Sequence, residues 1–218
     1  MNKTKAILIG AGPIEKITPF TKEEKDSSLL LCCDGGYKVY KKLGIEPDLF
    51  VGDFDTLNPN DLGHPKEKVV LNPVKDDTDT FYAIKKALGS GIKEFTFYGC
   101  LGGKMEHTIA NLQVLSYLLD QGARGTLISP NESQFITMGE KCRFDFYPNA
   151  KGMLSLFSYS PESVVSEHHL KYTLEKATLT SSIPLGVSNE FIDKVADIEV
   201  EEGRVLLVAP THTLKKVS

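Results

Sequence analysis

Two aspartates one residue apart, Asp53 and Asp55, stand in the run Asp48-Leu49-Phe50-Val51-Gly52-Asp53-Phe54-Asp55-Thr56-Leu57. Leu49 to Val51 is short and apolar enough to be a buried strand, and Gly52 lets the backbone turn after it. The two carboxylates then stand at a strand's carboxyl end. Open α/β sheets bind ligands at that edge, and paired oxygen ligands there suit a hard cation such as Mg²⁺. Alone, the pair could equally be a turn in which Asp accepts from backbone N–H groups. The pattern recurs, however. Leu29 to Cys33 runs into Asp34-Gly35-Gly36, and Val69 to Leu71, broken by Asn72-Pro73, runs into Asp76-Asp77-Thr78-Asp79. Asp34 as a helix cap, and Asp76 to Asp79 as first-turn acids, are the plainer explanations. Caps do not need to share one edge. Carboxylates crowded there repel one another, and any phosphate, unless a divalent ion lies between them, so the chemistry expected is that of a polyphosphate with Mg²⁺.

The elements that must position these acids follow from periodicity. Strands are expected at Ala6 to Ile9, Leu29 to Cys33, Leu49 to Val51, Val69 to Leu71, Phe95 to Tyr98 and Thr126 to Ser129. Helices are expected over Tyr37 to Leu43, from the Asp76–Asp79 segment to Gly89 with Phe81, Ile84 and Leu88 inward, and from about Glu106 to Asp120 with Ile109, Leu112, Leu115, Leu118 and Leu119 at helical spacing. Strand–helix alternation of this kind predicts a parallel sheet covered on both faces. Gly10-Ala11-Gly12-Pro13 lacks the third glycine of a dinucleotide fingerprint and reads as a tight turn. Gly99-Cys100-Leu101-Gly102-Gly103-Lys104 has Tyr98 and Met105 where a Walker A loop needs Gly and Ser or Thr, so it is no P-loop. A glycine-rich loop entering a helix still offers free N–H groups to an anion.

From about Gln134 the pattern changes to strands: Arg143 to Tyr147, Met153 to Phe157, Val195 to Val200 and Val205 to Val208, with Glu201 to Arg204 expected as a hairpin turn. No amphipathic helix is read after Asp120. This half is expected to be an antiparallel sandwich or small barrel, with the boundary between Pro130 and Glu140. Gly186-Val187-Ser188-Asn189-Glu190-Phe191 suits either a solvated turn or a loop gripping a flat heterocycle.

At 218 residues and net charge −4, without a basic block, the chain is expected to bury a full core and not to take nucleic acid as its main partner. Met1 to Ile14 is too short and too broken by glycine for a signal or a membrane span, which makes the cytoplasm the expected location. Cys32, Cys33, Cys100 and Cys142 lack C-x-x-C spacing and read as reduced residues, mostly of the core. His168-His169, adjacent in a strand, would point to opposite faces instead of sharing a metal.

Taken in order, Asp34-Gly35-Gly36, Pro47 to Thr56, Asp76-Asp77-Thr78-Asp79, Leu101 to Asn111, Leu170-Lys171-Tyr172 and Gly186 to Phe191 resemble the blocks of the thiamine pyrophosphokinase family over nearly the whole chain. The resemblance implies a Rossmann-like nucleotide-binding catalytic domain (1–133, parallel sheet, helices on both faces) and a smaller antiparallel β-sandwich that binds thiamine (134–218). It implies a homodimer with composite active sites, and transfer of pyrophosphate from ATP to the thiamine hydroxyl, giving thiamine diphosphate and AMP. Carried over, Asp34, Asp53, Asp55, Asp76 and Asp79 are the catalytic acids, with Asp53, Asp55 and Asp76 on Mg²⁺ and one acid taking the hydroxyl proton. Gly35, Gly36, Thr78, Gly102, Gly103, Lys104, His107, Thr108 and Asn111 fall on the ATP side, and Ser188 and Asn189 at the aminopyrimidine. Lys104 and Glu106 stand where Arg and Asp are usual, and lysine lacks the two-pronged guanidinium geometry. His169 replaces a glycine, which matters if that position needs positive φ. Two other readings compete. A haloacid-dehalogenase-like phosphatase also places D-x-D after a strand and would form an aspartyl phosphate; a non-catalytic sensor would bind nucleotide or thiamine without releasing AMP.

Overall fold

The computed structural model describes residues 3–15, 22–72, 77–131, 133–139 and 141–218, and the chain divides into two compact units, Met1–Asn131 and Glu132–Ser218. In the first unit the elements are β1 (Lys5–Ile9), α1 (Lys22–Ser27), β2 (Ser28–Cys33), α2 (Tyr37–Leu43), β3 (Leu49–Gly52), β4 (Glu67–Val70), α3 (Asp79–Gly89), β5 (Glu94–Tyr98), α4 (Met105–Asp120) and β6 (Arg124–Ile128). The six strands pair in parallel in the order β6-β5-β1-β2-β3-β4. Successive strands step one way from β1 to β4, and β5 and β6 lie on the other side of β1. The order therefore reverses between β1 and β5, which is where a doubly wound sheet opens a crevice at its carboxyl edge.

Both faces of this sheet are covered at its centre, so β1, β2 and β3 read as near-continuous apolar runs. Ile7, Ile9, Leu30, Cys32 and Phe50 pack against Tyr37 and Tyr40 of α2, and the Tyr40 hydroxyl donates to the Leu31 carbonyl (3.0 Å). On the other face Leu115 and Leu118 of α4 close over Gly125 beside Phe97, and α3 packs on β2 and β3. The buried face of α3 is Ala83, Ile84 and Ala87, with Phe81 and Leu88 only half-buried. This face is rotated from the expected one because a reading of large side chains passes over alanines. Ile109, expected inward on α4, is 52% exposed, and Asn111, Val114, Leu115 and Leu118 take the buried side. Helix α1 has no counterpart in the sequence reading. Its KEEKDS carries no apolar stripe to find.

The second unit contains β7 (Ser133–Met138), β8 (Cys142–Phe146), β9 (Met153–Ser158), β10 (Glu162–His168), β11 (Leu174–Thr180), β12 (Asn189–Glu190), β13 (Asp197–Glu202), β14 (Val205–Pro210) and β15 (Leu214–Val217). Two antiparallel sheets, β12-β9-β14-β7 and β11-β10-β13-β8-β15, share one core. Phe144, Phe146, Val165 and Ile198 come from one sheet and Leu154, Leu156, Val205 and Leu207 from the other. The expected hairpin at Glu201 to Arg204 is not one. Strand β13 pairs with β8 and β10, whereas β14 pairs with β7 and β9, so the turn at Gly203 (φ 76°) carries the chain from one sheet to the other. Local turn chemistry is the same in both cases. Among the described residues no helix is long and apolar enough to cross a membrane.

Candidate active site

Strand β2 runs into Asp34, which is 3% exposed and has φ +40°. A non-glycine residue seldom adopts that conformation unless its surroundings hold it there. Thr56 supplies the hold: its N–H (2.8 Å) and its hydroxyl both donate to Asp34 Oδ2, and the same hydroxyl oxygen accepts from the Gly35 N–H (3.0 Å). Gly36 must lack a side chain, because a Cβ there would lie 2.2 Å from the Ile9 carbonyl oxygen. The loop after β2 is thus pressed onto the end of β1. After β3, Phe54 has φ +66° and stacks on Phe50 (5.4 Å between ring centroids), with Lys68 Nζ 5.0 Å from its ring centroid. The reversal at Phe54 sets Asp53 and Asp55 beside Asp34. One ligand oxygen from each of the three acids lies within 4.8 Å of the others.

The electrostatics match that crowding. Asp55 is raised above the ordinary carboxylate value, first by its close carboxyl–carboxyl contact with Asp34, then by burial, and then by the charges of Asp53, Asp34 and Asp79. Asp34 Oδ1 is buried and has no hydrogen-bond partner, although buried polar atoms are nearly always satisfied. An orphaned carboxylate oxygen beside two further carboxylates is an all-oxygen donor set, which fits a hard divalent cation. Asp48, by contrast, sits at the other end of β3. Burial pushes it up, but Lys66, the Leu30 N–H and Lys3 together hold it below the ordinary value. It braces the sheet and takes no part in the cluster.

Around the acids is a cavity of about 530 Å³, within the size range of small-molecule sites. Asp34, Asp53, Asp55, Asp77, Thr78 and Asp79 line it from the strand ends and the start of α3, and Gly103, Lys104, His107, Thr108 and Asn111 from the start of α4. Thr78 accepts from the Phe81 N–H as the N-cap of α3. Asp77 pairs with Lys85. Asp76 lies outside the described residues. Gly102 (φ +79°) donates its N–H to the Thr108 hydroxyl (3.2 Å), and Asn111 donates to the Cys100 carbonyl (2.7 Å). Those two side chains therefore shape the loop from within. Lys104 stands exposed at the start of α4, with no ion pair among the described residues. Gly35 and Gly36 form the turn that follows Asp34.

Sequence reasoning misses two contributors. Gly10 to Pro13, read as a plain turn, lines the cavity and is stitched to the loop after β5 by the Gly12 N–H on the Gly99 carbonyl (2.8 Å). A pair of glycines directly after the opening strand is the available signal. Thr56 enters the sequence reading only as part of a motif, though it follows the second aspartate directly. Cys33 and Cys100 also line the cavity, but burial raises both thiols, Cys100 to about 12, so neither is a thiolate nucleophile at neutral pH.

Ser188 and Asn189 lie in the second unit. Ser188 is exposed, has φ +61°, and donates its N–H to the Ser155 hydroxyl (3.0 Å). Asn189 is 4% exposed, and its amide is fully engaged: Nδ2 donates to Glu167 and to the Tyr172 carbonyl (2.7 Å), and Oδ1 accepts from the N–H groups of Tyr172 (3.0 Å) and Glu190 (2.9 Å). No hydrogen-bonding position is left on it for a ligand. His169 has φ +59°, so the residue that stands in a glycine's place does adopt a glycine-like backbone.

Comparison with known proteins agrees with both units. Residues 20–127 match the family model described as thiamin pyrophosphokinase, catalytic domain, and residues 141–205 match thiamin pyrophosphokinase, vitamin B1 binding domain. The thiamine pyrophosphokinase of Bacillus subtilis (strain 168) is 24% identical over 211 residues, 94% of this chain and 97% of that one. Among solved structures, thiamine pyrophosphokinase from Bacillus subtilis matches with a TM-score of 0.80 at 21% identity, covering 95% of this chain and 99% of that chain. Thiamin pyrophosphokinase from Candida albicans matches with a TM-score of 0.76 at 14% identity, covering 94% and 90%. At such identities the solved structures speak for the fold, while the two family models, matching successive parts of the sequence, place the chain in the thiamin pyrophosphokinase family.

Proposed function

We propose that the chain performs its family's reaction, transfer of pyrophosphate from ATP to the hydroxyl of thiamine, at the acid-lined cavity of the first unit. The observation that carries this is the meeting of Asp34, Asp53 and Asp55 within 4.8 Å at the carboxyl edge of the sheet, in a cavity that also takes in the segments after β1 and β5, where the strand order reverses. The thiamine hydroxyl oxygen attacks the β-phosphorus of ATP as the bond from that phosphorus to the α,β-bridging oxygen breaks, so AMP leaves, and one carboxylate of the set takes the hydroxyl proton. Such a transfer asks the protein for alignment and charge balance more than for covalent chemistry. Asp53 and Asp55, with Asp34 beside them and Asp76 from the run that precedes α3 in sequence, are the residues that would hold Mg²⁺. When bound, that ion neutralises phosphate charge.

The other residues divide by position. Gly35 and Gly36 keep the Asp34 turn tight, and Thr78 and Asp79 open α3 at the cavity wall. Gly103, Lys104 and His107 at the start of α4 face the phosphates, where N–H groups and the Lys104 ammonium favour an anion. Gly102, Thr108 and Asn111 fix that loop. In the second unit, Ser188 meets the aminopyrimidine and Asn189 supports it from behind. The chain works as a homodimer with composite active sites. Exposed Met105 and Ile109 on α4, and Ile183, Leu185 and Val187 in the second unit, offer apolar surface for burial between copies. Purified protein incubated with ATP, Mg²⁺ and thiamine should release AMP and thiamine diphosphate in equal amounts. Inorganic phosphate without AMP would favour the phosphatase reading, and no turnover at all the sensor.

A further inference from the structure

Two short segments that stand apart in the sequence, Leu170-Lys171-Tyr172 and Ser188 to Phe191, are one structural piece in the second unit. Leu170 and Phe191 form a β-bridge, the Lys171 N–H donates to the Glu190 carbonyl (3.0 Å), and Lys171 Nζ pairs with Glu190 (2.7 Å). At Tyr172 the ladder is continued by a side chain: the Asn189 amide accepts from the Tyr172 N–H and donates to its carbonyl, as a facing peptide would. That leaves one hydrogen on Asn189 Nδ2. Glu167 takes it.

Glu167 is an unusual residue to find there. It is 1% exposed on β10, makes this hydrogen bond with Oε2, and leaves Oε1 buried without a partner. It also sits at a register shift, where the pairing of β10 with β11 passes from Val165 to Glu167 and Val165, Ser166 and Glu167 are all buried in succession. Bulges of this kind re-aim a side chain. A buried carboxyl with a single partner destabilises a fold compared with an apolar residue of the same shape, so its presence asks for a positional reason. On the outward side of the welded piece are exposed Ser188 with its left-handed backbone, Tyr172 (62% exposed) and Val187 (43% exposed).

We propose that Glu167 is a positioning residue for thiamine: by holding the second hydrogen of the Asn189 amide it locks the 170–172 and 188–191 segments together and so fixes Ser188 and the Tyr172 ring as a platform for the heterocycle. The inference rests on the reading that this loop receives thiamine. Steady-state kinetics and calorimetric thiamine binding on Glu167→Ala, Glu167→Gln, Asn189→Asp and the Glu167→Gln/Asn189→Asp double variant test it, with circular dichroism to establish folding. Glu167→Ala should raise the KM and Kd for thiamine about tenfold to a hundredfold, the scale of losing one hydrogen bond to a charged group. The KM for ATP should stay within about twofold, since the cavity of the first unit is untouched. Glu167→Gln, whose carbonyl can accept from Nδ2, should recover most of the loss. Asn189→Asp sets two carboxylates against each other and should impair thiamine selectively; adding Glu167→Gln removes that repulsion and should recover part of it. A folded Glu167→Ala with unchanged thiamine KM, a parallel rise in the ATP KM, or a double variant no better than Asn189→Asp overturns the assignment while the parent activity stands. Wild-type protein that binds no thiamine and forms no AMP overturns the parent reading itself.

Discussion

Replacing Asp55 with asparagine should make the metal-free protein more stable and the enzyme far slower. Three carboxylates meet within 4.8 Å, and at that distance two unit charges repel by about 1 kcal/mol in a water-like medium and about 3.5 kcal/mol at the effective dielectric of a protein surface. Asp55 is exposed, so the lower figure applies. The sign follows from its raised pKa: stability is fully present below the unfolded carboxylate value near 3.8 and is lost as pH rises through the higher folded value, so at pH 7 the apo protein bears the whole cost. An asparagine side chain cannot ionise and escapes it. The apo variant should therefore melt above the wild type at pH 7, with the difference closing toward pH 4, and added Mg²⁺ should raise the wild-type Tm more than the variant's. Turnover should fall roughly a hundredfold or more, the scale of losing one preorganised electrostatic stabiliser, which corresponds to about 2.7 kcal/mol of barrier. Differential scanning fluorimetry across pH, with and without Mg²⁺, and AMP release at saturating substrates read both effects. A variant that melts lower than wild type at pH 7, or that keeps near-normal turnover, refutes the reasoning about this cluster.

Thr56→Val removes the hydroxyl that donates to Asp34 and accepts from Gly35, and chemical denaturation should show a loss of about 1.5–3 kcal/mol with weaker Mg²⁺ binding. Thr56→Ser, which keeps the hydroxyl, should stay close to wild type, and equal behaviour of the two variants would remove Thr56 from the account of the site. His168 is raised chiefly by its contact with Asp197 (2.7 Å), with Glu175 on its other ring nitrogen and Arg143 also facing Asp197. The stabilisation it brings is complete below its ordinary value of 6.5 and lost as pH rises through the raised one. A His168→Gln protein should accordingly lack the decline in Tm that the wild type shows above that pH, and identical pH profiles would contradict the assignment.

Much of the first unit is written locally. Leu49 to Val51 and Leu29 to Cys33 could hardly be anything but buried strands, α2 runs over the expected Tyr37–Leu43 span, and Asp34, Asp53, Asp55 and Asp79 fall at strand ends or a helix start that periodicity locates. The succession of motifs points to the family before any coordinates. What only the tertiary structure decided is everything that depends on residues far apart in the chain. Strand order is one instance: pairing β1 between β2 and β5 creates the crevice, and nothing within either strand specifies its neighbour. Strand β11 is invisible in the sequence because only Leu179 of LEKATLT is fully buried, leaving no alternation to detect, and the turn at Gly203 cannot reveal that its flanking strands join different sheets. The same holds at the site. That Asp34 and Asp55 stand face to face, that Thr56 clamps the buried one, and that the Asn189 amide turns inward to Glu167 and Tyr172 are outcomes of packing, because a side chain's partners are set by which surfaces the fold brings together and not by its own place in the sequence.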